Sequence, residues 1–178
     1  MALKQFANVW AVTYKKTNMY KNEIEMYPDI ISWLTTDLNQ KFGKKAKNIQ
    51  VLDTHDSDLS NFIMKLNYQK FFPEFTTFQI RQDITGFIEY SDRVDLVFVE
   101  CKNTTLSLIN LSQLIGYSSI ALPIYAILLS PQGMGTTLTK LLQTYNRKDV
   151  LEFKPNRMIQ VIKWDYKKQD IDHMNSVL

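Results

Sequence analysis

Residues 81–102 contain two strand-like segments joined by a short polar break, and this stretch constrains the fold more than any other part of the chain. Residues 84–90 and 94–99 are rich in β-branched and aromatic side chains, which favour β-strands. Ser91 and Asp92 separate the two segments and are residue types that turn a chain. The pattern predicts a β-hairpin.

The turn sets the register of this hairpin and brings charged residues together. If the loop has two residues, Tyr90 pairs with Arg93, and the numbers of paired residues add to 183. Asp83 then lies opposite Glu100 on one face of the hairpin, and strand alternation places Lys102 on that face as well. A slip of one residue would put the two carboxylates on opposite faces.

Two carboxylates at the distance of a cross-strand pair repel each other unless a cation lies between them. The hard oxygen atoms of Asp83 and Glu100 suit Mg²⁺ or Mn²⁺. Asp95 alternates onto the other face, and Asp92 lies at the far end of the strand, so neither replaces Asp83 easily. The sequence therefore predicts a magnesium or manganese site at one end of the hairpin.

This arrangement of charged residues is similar to a known nuclease motif. Asp83, sixteen further residues and then Glu100-Cys101-Lys102 resemble the signature of the PD-(D/E)XK nuclease superfamily. That superfamily includes restriction endonucleases, archaeal Holliday-junction resolvases and RecB-like exonucleases. Asp83 matches its aspartate, Glu100 its (D/E) and Lys102 its lysine, whereas Gln82 stands where the family often has proline.

A second element, further along the chain, is similar to one branch of the superfamily. Gln113-Leu-Ile-Gly-Tyr117 resembles the Gln-x-x-x-Tyr element of RecB-like nucleases. Residues four apart share one face of a helix. The resemblance implies that Gln113 and Tyr117 flank the site, where they contact DNA or position catalytic groups. It covers roughly residues 20–165, which is most of the chain.

The resemblance implies a metal-dependent deoxyribonuclease that hydrolyses DNA phosphodiester bonds. Asp83 and Glu100 would hold Mg²⁺ or Mn²⁺ together with the backbone carbonyl group of Cys101. The thiol of Cys101 is interpreted as a buried apolar group. Lys102 would orient or deprotonate the attacking water, because partial burial and a nearby metal can lower the pKa of a lysine.

A further acidic ligand often comes from the first helix in this superfamily, and Glu23 and Glu25 are the candidates. On a continuous helix, Glu23 lies near the apolar stripe that includes Tyr27 and Leu34, whereas Glu25 points well away from it. If the helix begins at Pro28 instead, this preference disappears and both glutamates stay open.

The other segments predict a mixed sheet flanked by helices. The predicted elements are helices over 19–42 (starting at 19, 22 or 29), 59–66, 106–122 and 136–145, and strands over 48–52, 124–129, 150–153 and 158–164. Residues 6–14 fit a strand or a helix, and the tail beyond 170 is expected to fray.

The order of these elements indicates an α/β protein with one domain over residues 1–178. The strand over 94–100, the helix over 106–122 and the strand over 124–129 form a βαβ unit, so the two strands should be parallel with a right-handed crossover. The order also resembles the restriction-endonuclease-like core of the nuclease superfamily, α-β-β-β-α-β.

His55 lies among Asp53, Asp56 and Asp58, and histidine and aspartate are residue types that bind metal ions. No second histidine is nearby to complete a transition-metal set. We therefore interpret this segment as a helix start, capped by Asp56 or Ser57.

Composition excludes several classes of protein. The chain has 178 residues and one cysteine, which excludes a disulfide framework and a cysteine-built zinc or iron–sulfur site within one chain. A formal net charge of +3 permits DNA binding without arguing for it. The N-terminus does not resemble a signal peptide, and the apolar stretch 120–129 is too short to cross a bilayer. A soluble, intracellular protein of the cytoplasm that does not bind membranes is expected.

Two classes of function remain after these exclusions. One is the DNA nuclease, and the other is a non-catalytic nucleic-acid-binding module on the same fold. Cleavage of both strands of a duplex with one site per chain is easiest in a two-fold dimer, so a homodimer is favoured, although the sequence shows no clear interface. The form of the DNA substrate and the choice between endonuclease and exonuclease stay open.

Overall fold

The computed structural model describes residues 19–178, so the segment 6–14 lies outside the described residues. The helices are α1 Tyr27–Phe42, α2 Leu59–Lys65, α3 Leu108–Ala121 and α4 Thr136–Thr139, which continues as a π-helical turn over Lys140–Thr144. The strands are β1 Asn48–Asp53, β2 Ile84–Glu89, β3 Val94–Cys101, β4 Tyr125–Ser130, β5 Glu152–Lys154, β6 Arg157–Asp165 and β7 Asp170–Ile171.

Seven strands form one mixed sheet in the order β1-β2-β3-β4-β6-β5, with β7 paired to β6. The first three strands are antiparallel neighbours, whereas β3, β4 and β6 run parallel to one another. The βαβ unit made of β3, α3 and β4 therefore has the predicted parallel strands. The protein belongs to the α/β class, with helices on both faces of the sheet.

The predicted register of the hairpin is confirmed. Ile84 pairs with Val99 and Glu89 pairs with Val94, so the paired numbers add to 183. The loop has two residues, because the amide of Tyr90 donates to the carbonyl of Arg93 at 2.8 Å. The two-residue loop forms although Ser91 and Asp92 are neither glycine nor asparagine.

Each face of the sheet is covered by a separate apolar core. On one face, α1 packs Tyr27, Ile30, Leu34 and Leu38 against β2, β3 and β4. On the other face, α2, α3 and α4 cover the strand residues that alternate with those facing α1. Phe87 and Phe98 are examples. Both faces of the central strands are therefore buried, as expected for parallel strands between helix layers.

The first helix begins later than residue 19. Residues Ile24–Met26 form a 3₁₀ turn, and the α-helix follows from Tyr27 with Pro28 in its first turn. Gly86 on β2 allows α1 to approach the sheet, because a Cβ atom there would lie 3.2 Å from Cδ1 of Leu38.

The structure corrects three predictions about other segments. The strand predicted over 150–153 begins at Glu152, after a 3₁₀ turn at Lys148–Leu151. The tail does not fray within the described chain, because Asp170–Ile171 pairs with β6 and Val177 bridges to Val161. Ile171 and Val177 are isolated apolar residues in a polar segment, so the sequence there has no periodic pattern that predicts a strand.

The third concerns the start of α2. The N-cap is Asp58 rather than Asp56 or Ser57, and its side chain makes no capping hydrogen bond. Its carboxylate instead accepts a hydrogen bond from Nε of Arg81 at 2.7 Å.

Within residues 19–178, no helix has the length and apolar character that a membrane crossing requires.

Candidate active site

The candidate site lies where β3 ends and β2 begins. Asp83 immediately precedes β2, Glu100 and Cys101 end β3, and Lys102 follows. Cys101 lies in the core beneath α1 together with Val99. Alternation therefore places Glu100 on the opposite face of β3, toward α3.

The ammonium group of Lys102 lies among three carboxylates. Its Nζ atom is 2.8 Å from Oε1 of Glu100, 3.4 Å from Oε2 of Glu23 and 4.0 Å from Oδ2 of Asp83. The side chain of Glu100 is only 4% exposed, that of Asp83 13% and that of Lys102 17%. The register of the hairpin thus brings the three predicted residues into one buried cluster at its end.

Both carboxylate oxygens of Asp83 are held by hydrogen bonds. The hydroxyl group of Tyr27 donates to Oδ1 at 2.7 Å, and the backbone amide of Cys101 donates to Oδ2 at 2.7 Å. The carbonyl of Asp83 accepts from the amide of Thr54 at 2.9 Å. Sequence reasoning missed Tyr27, because a residue 56 positions away can be linked to Asp83 only once the packing of α1 is known.

Burial and charge shift the pKa values of these groups. The pKa of Glu100 is raised to about 7. Burial is the main cause and repulsion from Asp83 adds to it, whereas Lys102 acts to lower the pKa. Burial also raises the pKa of Asp83, although the hydrogen bonds from Tyr27 and Cys101 lower it. The site therefore retains protons more readily than solvated carboxylates do.

The pKa of Lys102 is raised in the absence of a metal ion, whereas the lowered pKa is predicted for a lysine beside a bound metal. Burial acts to lower it, but the carboxylates of Glu100, Asp83 and Glu23 outweigh burial, so the pKa is raised. Lys102 is therefore a cation at neutral pH in this structure. It can donate hydrogen bonds to a water or a phosphate oxygen, but it cannot accept a proton in this state.

The structure separates the two acidic residues that the sequence left open. Glu23 precedes the 3₁₀ turn and reaches Lys102. The carboxylate of Glu25 accepts instead from the backbone amide of Lys21 at 2.9 Å. Glu23 is therefore the glutamate of this segment that belongs to the carboxylate cluster.

Gln113 and Tyr117 differ in their relation to the site. The amide of Gln113 donates to Oε1 of Glu100 at 3.4 Å, so Gln113 lies at the cluster. Tyr117 is partly buried against the core beneath α3. Within residues 19–178, Tyr117 makes no hydrogen bond to Asp83, Glu100 or Lys102 and packs against the core instead.

The thiol of Cys101 is completely buried, and burial raises its pKa well above the ordinary value. A protonated thiol in an apolar core is inert toward metals and electrophiles. This agrees with the interpretation of the side chain as an apolar group, and it leaves only the backbone of Cys101 to serve the site.

The oxygen atoms of the cluster fit Mg²⁺ or Mn²⁺ by their chemistry. Within residues 19–178, no three or more His, Cys, Asp or Glu side chains are arranged as ligands of one metal ion. Mg²⁺, however, is usually bound through one or two carboxylates, with waters completing an octahedron. Asp83 and Glu100 supply that number, in a place where repulsion between them raises the pKa of Glu100.

A histidine lies beside the cluster. Nδ1 of His55 is 2.6 Å from Oδ1 of Asp53, and its ring centroid is 5.5 Å from that of Tyr27, which holds Asp83. Asp53 is the last residue of β1, and the following residue, Thr54, bonds to Asp83. The sheet therefore brings the Asp53–His55 pair to the same edge as the carboxylates.

Comparison of the chain with models of known families, with curated proteins and with solved structures gives no match. The functional argument therefore depends on the residues and geometry of this chain.

Proposed function

We propose that the chain is a metal-dependent deoxyribonuclease of the PD-(D/E)XK type, which hydrolyses phosphodiester bonds in DNA. One observation carries this proposal: Asp83, Glu100 and Lys102, the residues that match the motif, converge at the end of one hairpin with Nζ 2.8 Å and 4.0 Å from the two carboxylates. An unrelated surface ion pair would not be expected to bury a second carboxylate beside the first.

The order of elements supports a restriction-endonuclease-like core. Helix α1 precedes β1, β2 and β3, which are antiparallel, and α3 then leads to β4, parallel to β3. This is the α-β-β-β-α-β order of that core, apart from the short α2 inserted between β1 and β2. A fold alone does not imply an activity, so the proposal depends on the site.

Asp83 and Glu100 would hold Mg²⁺ or Mn²⁺, with the backbone carbonyl of Cys101 and the carboxylate of Glu23 as further candidate ligands. The bound cation would supply an activated water, neutralise charge on the phosphate and stabilise the leaving oxygen. Lys102 would orient or deprotonate the attacking water, since a bound cation would offset the carboxylates that raise its pKa. Gln113 positions Glu100 through its amide. Tyr117, four residues further along α3, is proposed as a DNA contact.

The test compares cleavage by matched carboxylate variants. Asp83→Asn and Glu100→Gln keep the shape of the side chains but remove a charged ligand, so cleavage should fall by roughly a thousandfold or more. Asp95→Asn is the control, because Asp95 lies on the same strand and pairs with Arg93 outside the cluster. Supercoiled, linear, single-stranded and branched DNA should each be offered with Mg²⁺ and with Mn²⁺.

Binding measured alongside cleavage separates the two classes of function. If the parent protein binds DNA but cuts none of these substrates with either metal, the chain is a non-catalytic nucleic-acid-binding module. If the Asp83 and Glu100 variants cut as fast as the parent, the proposed site is wrong. We expect both variants to retain DNA binding without metal, because two carboxylates repel phosphates in the parent.

A further inference from the structure

The outer face of α3 is exposed and uncharged. Residues 103–139 contain no Asp, Glu, Lys, Arg or His, so neither α3 nor its flanking loops contribute a charge. Leu108 is 39% exposed and Ile120 57%, although both lie on a helix whose other side is buried in the core. A solvated helix usually carries charges on its outer face, so this surface is typical of a face that packs against another molecule.

Four exposed residues form one ridge along this face, spaced by four positions: Leu108, Ser112, Gly116 and Ile120. The two large side chains are at the ends and the two small residues are in the middle. A Cβ atom added at Gly116 would meet no other atom within 4 Å, so the middle of the ridge is open. Ridges of this spacing pack into the grooves of a second helix.

The ridge is complementary to itself when the chain direction is reversed. In an antiparallel pair related by a two-fold axis, Leu108 of one copy meets Ile120 of the other, and Ser112 meets Gly116. The α3 ridges bring no like charges together, because α3 has no charged residue. A cavity of about 340 Å³ opens at the N-terminal end of α3, lined in part by Leu106, Leu108 and Leu138, where the partner's Ile120 would arrive.

We propose that α3 is a self-association face, on which two copies of the chain pack their α3 helices antiparallel about a two-fold axis. The partner is a second copy rather than a nucleic acid, because phosphates are bound by Lys and Arg and this face has neither. Exposed Leu122 and Met158 extend the apolar surface beyond the helix, and Arg157 bonds to the carbonyl of Leu122 at its edge.

This interface does not depend on the proposed nuclease activity, but it would lie close to the site. Gln113 follows Ser112 of the ridge and donates to Glu100. A two-fold pair of α3 helices therefore places the two candidate sites on either side of the shared contact. Each copy would keep its own complete set of Asp83, Glu100 and Lys102.

Sedimentation velocity of the full chain at micromolar concentration tests the interface. The parent should sediment as a dimer, and Ile120→Glu should sediment as a monomer. Gly116→Leu should also be monomeric while keeping or raising the melting temperature, because space is open there and leucine favours a helix over glycine. Met64→Glu is the control, since Met64 is 51% exposed on α2, and it should stay dimeric.

A monomeric parent, or a dimer that survives both Ile120→Glu and Gly116→Leu, would overturn the proposal. Cysteine cross-linking then tests the direction of packing. Leu108→Cys and Ile120→Cys should form disulfides only when the two variants are mixed, because equivalent positions in an antiparallel pair are about 18 Å apart. Cys101 is buried and does not compete. Efficient cross-linking of either variant by itself would contradict the antiparallel arrangement.

Discussion

The hydroxyl group of Tyr27 donates a 2.7 Å hydrogen bond to Oδ1 of Asp83, while the amide of Cys101 holds the other oxygen. Tyr27 is the first residue of α1 and is buried, so α1 fixes the orientation of the Asp83 carboxylate just before β2. Packing of the first helix against the sheet therefore determines the geometry of the candidate site.

Replacing Tyr27 with phenylalanine should weaken both stability and cleavage. The variant loses a hydrogen bond to a charged acceptor, worth about 2 kcal/mol of unfolding free energy. That hydrogen bond lowers the pKa of Asp83, so its removal should raise the pKa further. We expect cleavage to slow about tenfold without being abolished, because the proposed metal ligands remain. Urea unfolding and initial cleavage rates measure the two effects.

Tyr68→Phe is the matched control for this prediction. The hydroxyl group of Tyr68 donates to Oε2 of Glu89 at 3.1 Å, away from the carboxylate cluster. This variant should lose stability and retain the cleavage rate of the parent. Equal losses of cleavage in the two variants would show that Tyr27 acts through general stability.

Removal of the Lys102 ammonium should destabilise the protein in a pH-dependent way. Lys102→Met leaves Glu100 and Asp83 without their buried cation, and breaking such a pair costs about 3 kcal/mol. Glu100 already has a pKa of about 7, and loss of Lys102 raises it further. The cost should be larger at pH 8 than at pH 5, because a carboxyl group whose pKa is raised in the folded state destabilises that state progressively as the pH rises above its unfolded value.

Urea unfolding of the parent and Lys102→Met at pH 5 and pH 8 measures this difference. Lys41→Ala is the control, because Lys41 pairs with Asp37 on the exposed surface of α1, where such pairs contribute little at either pH. A cost for Lys102→Met that is the same at both pH values would mean that the carboxylates do not depend on Lys102.

The hairpin and the cluster at its end could be predicted because their signal is local. The two-residue break at Ser91 and Asp92 sets one register for the strands over 84–90 and 94–99, and that register places Asp83 beside Glu100 and Lys102. The same reasoning applies to the βαβ unit, because its strands and helix follow one another directly along the chain.

Contacts between distant segments could not be predicted in the same way. Pro28 allowed more than one helix start, and the choice of Glu23 over Glu25 depends on the 3₁₀ turn that precedes α1. The link from Tyr27 to Asp83 depends on how α1 crosses the sheet. The pKa of Lys102 also required the structure, because burial and three carboxylates act on it in opposite directions.

Metal binding should strengthen as the pH rises toward 7. Glu100 has a pKa of about 7, so below that value a proton must leave its carboxylate before a cation can bind. The affinity for Mn²⁺ should fall about tenfold for each pH unit below 7 and level off above it. Titration calorimetry at pH 6 in buffers of different ionisation heat should detect the released proton.

Glu100→Gln provides the control for the metal titration. It removes both a proposed ligand and its titrating carboxyl group, so binding should be weak and should release fewer protons at pH 6 than in the parent. Asp95→Asn should behave as the parent does. An affinity of the parent that is unchanged between pH 6 and pH 8 would show that Glu100 is not a ligand.

His55 should titrate above its ordinary range, and Asp53 should be the reason. The pKa of His55 is raised mainly by the hydrogen bond to Asp53, and burial acts to lower it. The charges of Asp53, Asp56 and Asp83 raise the pKa further. A raised histidine pKa stabilises the folded state below the ordinary value, and this stabilisation is lost as the pH rises through the raised value. The stabilisation is small, because the ring is partly exposed.

An NMR titration of the His55 ring measures this shift directly. Asp53→Asn should return the pKa of His55 toward about 6.5, the value of an unperturbed histidine. Asp56→Asn removes a charge but no hydrogen bond to the ring, so it should lower the pKa by less. If His55 titrates alike in the parent and in Asp53→Asn, then the pair at the end of β1 does not form in solution. The His55 ring would then be free to leave its contact with Tyr27, the residue that bonds to Asp83.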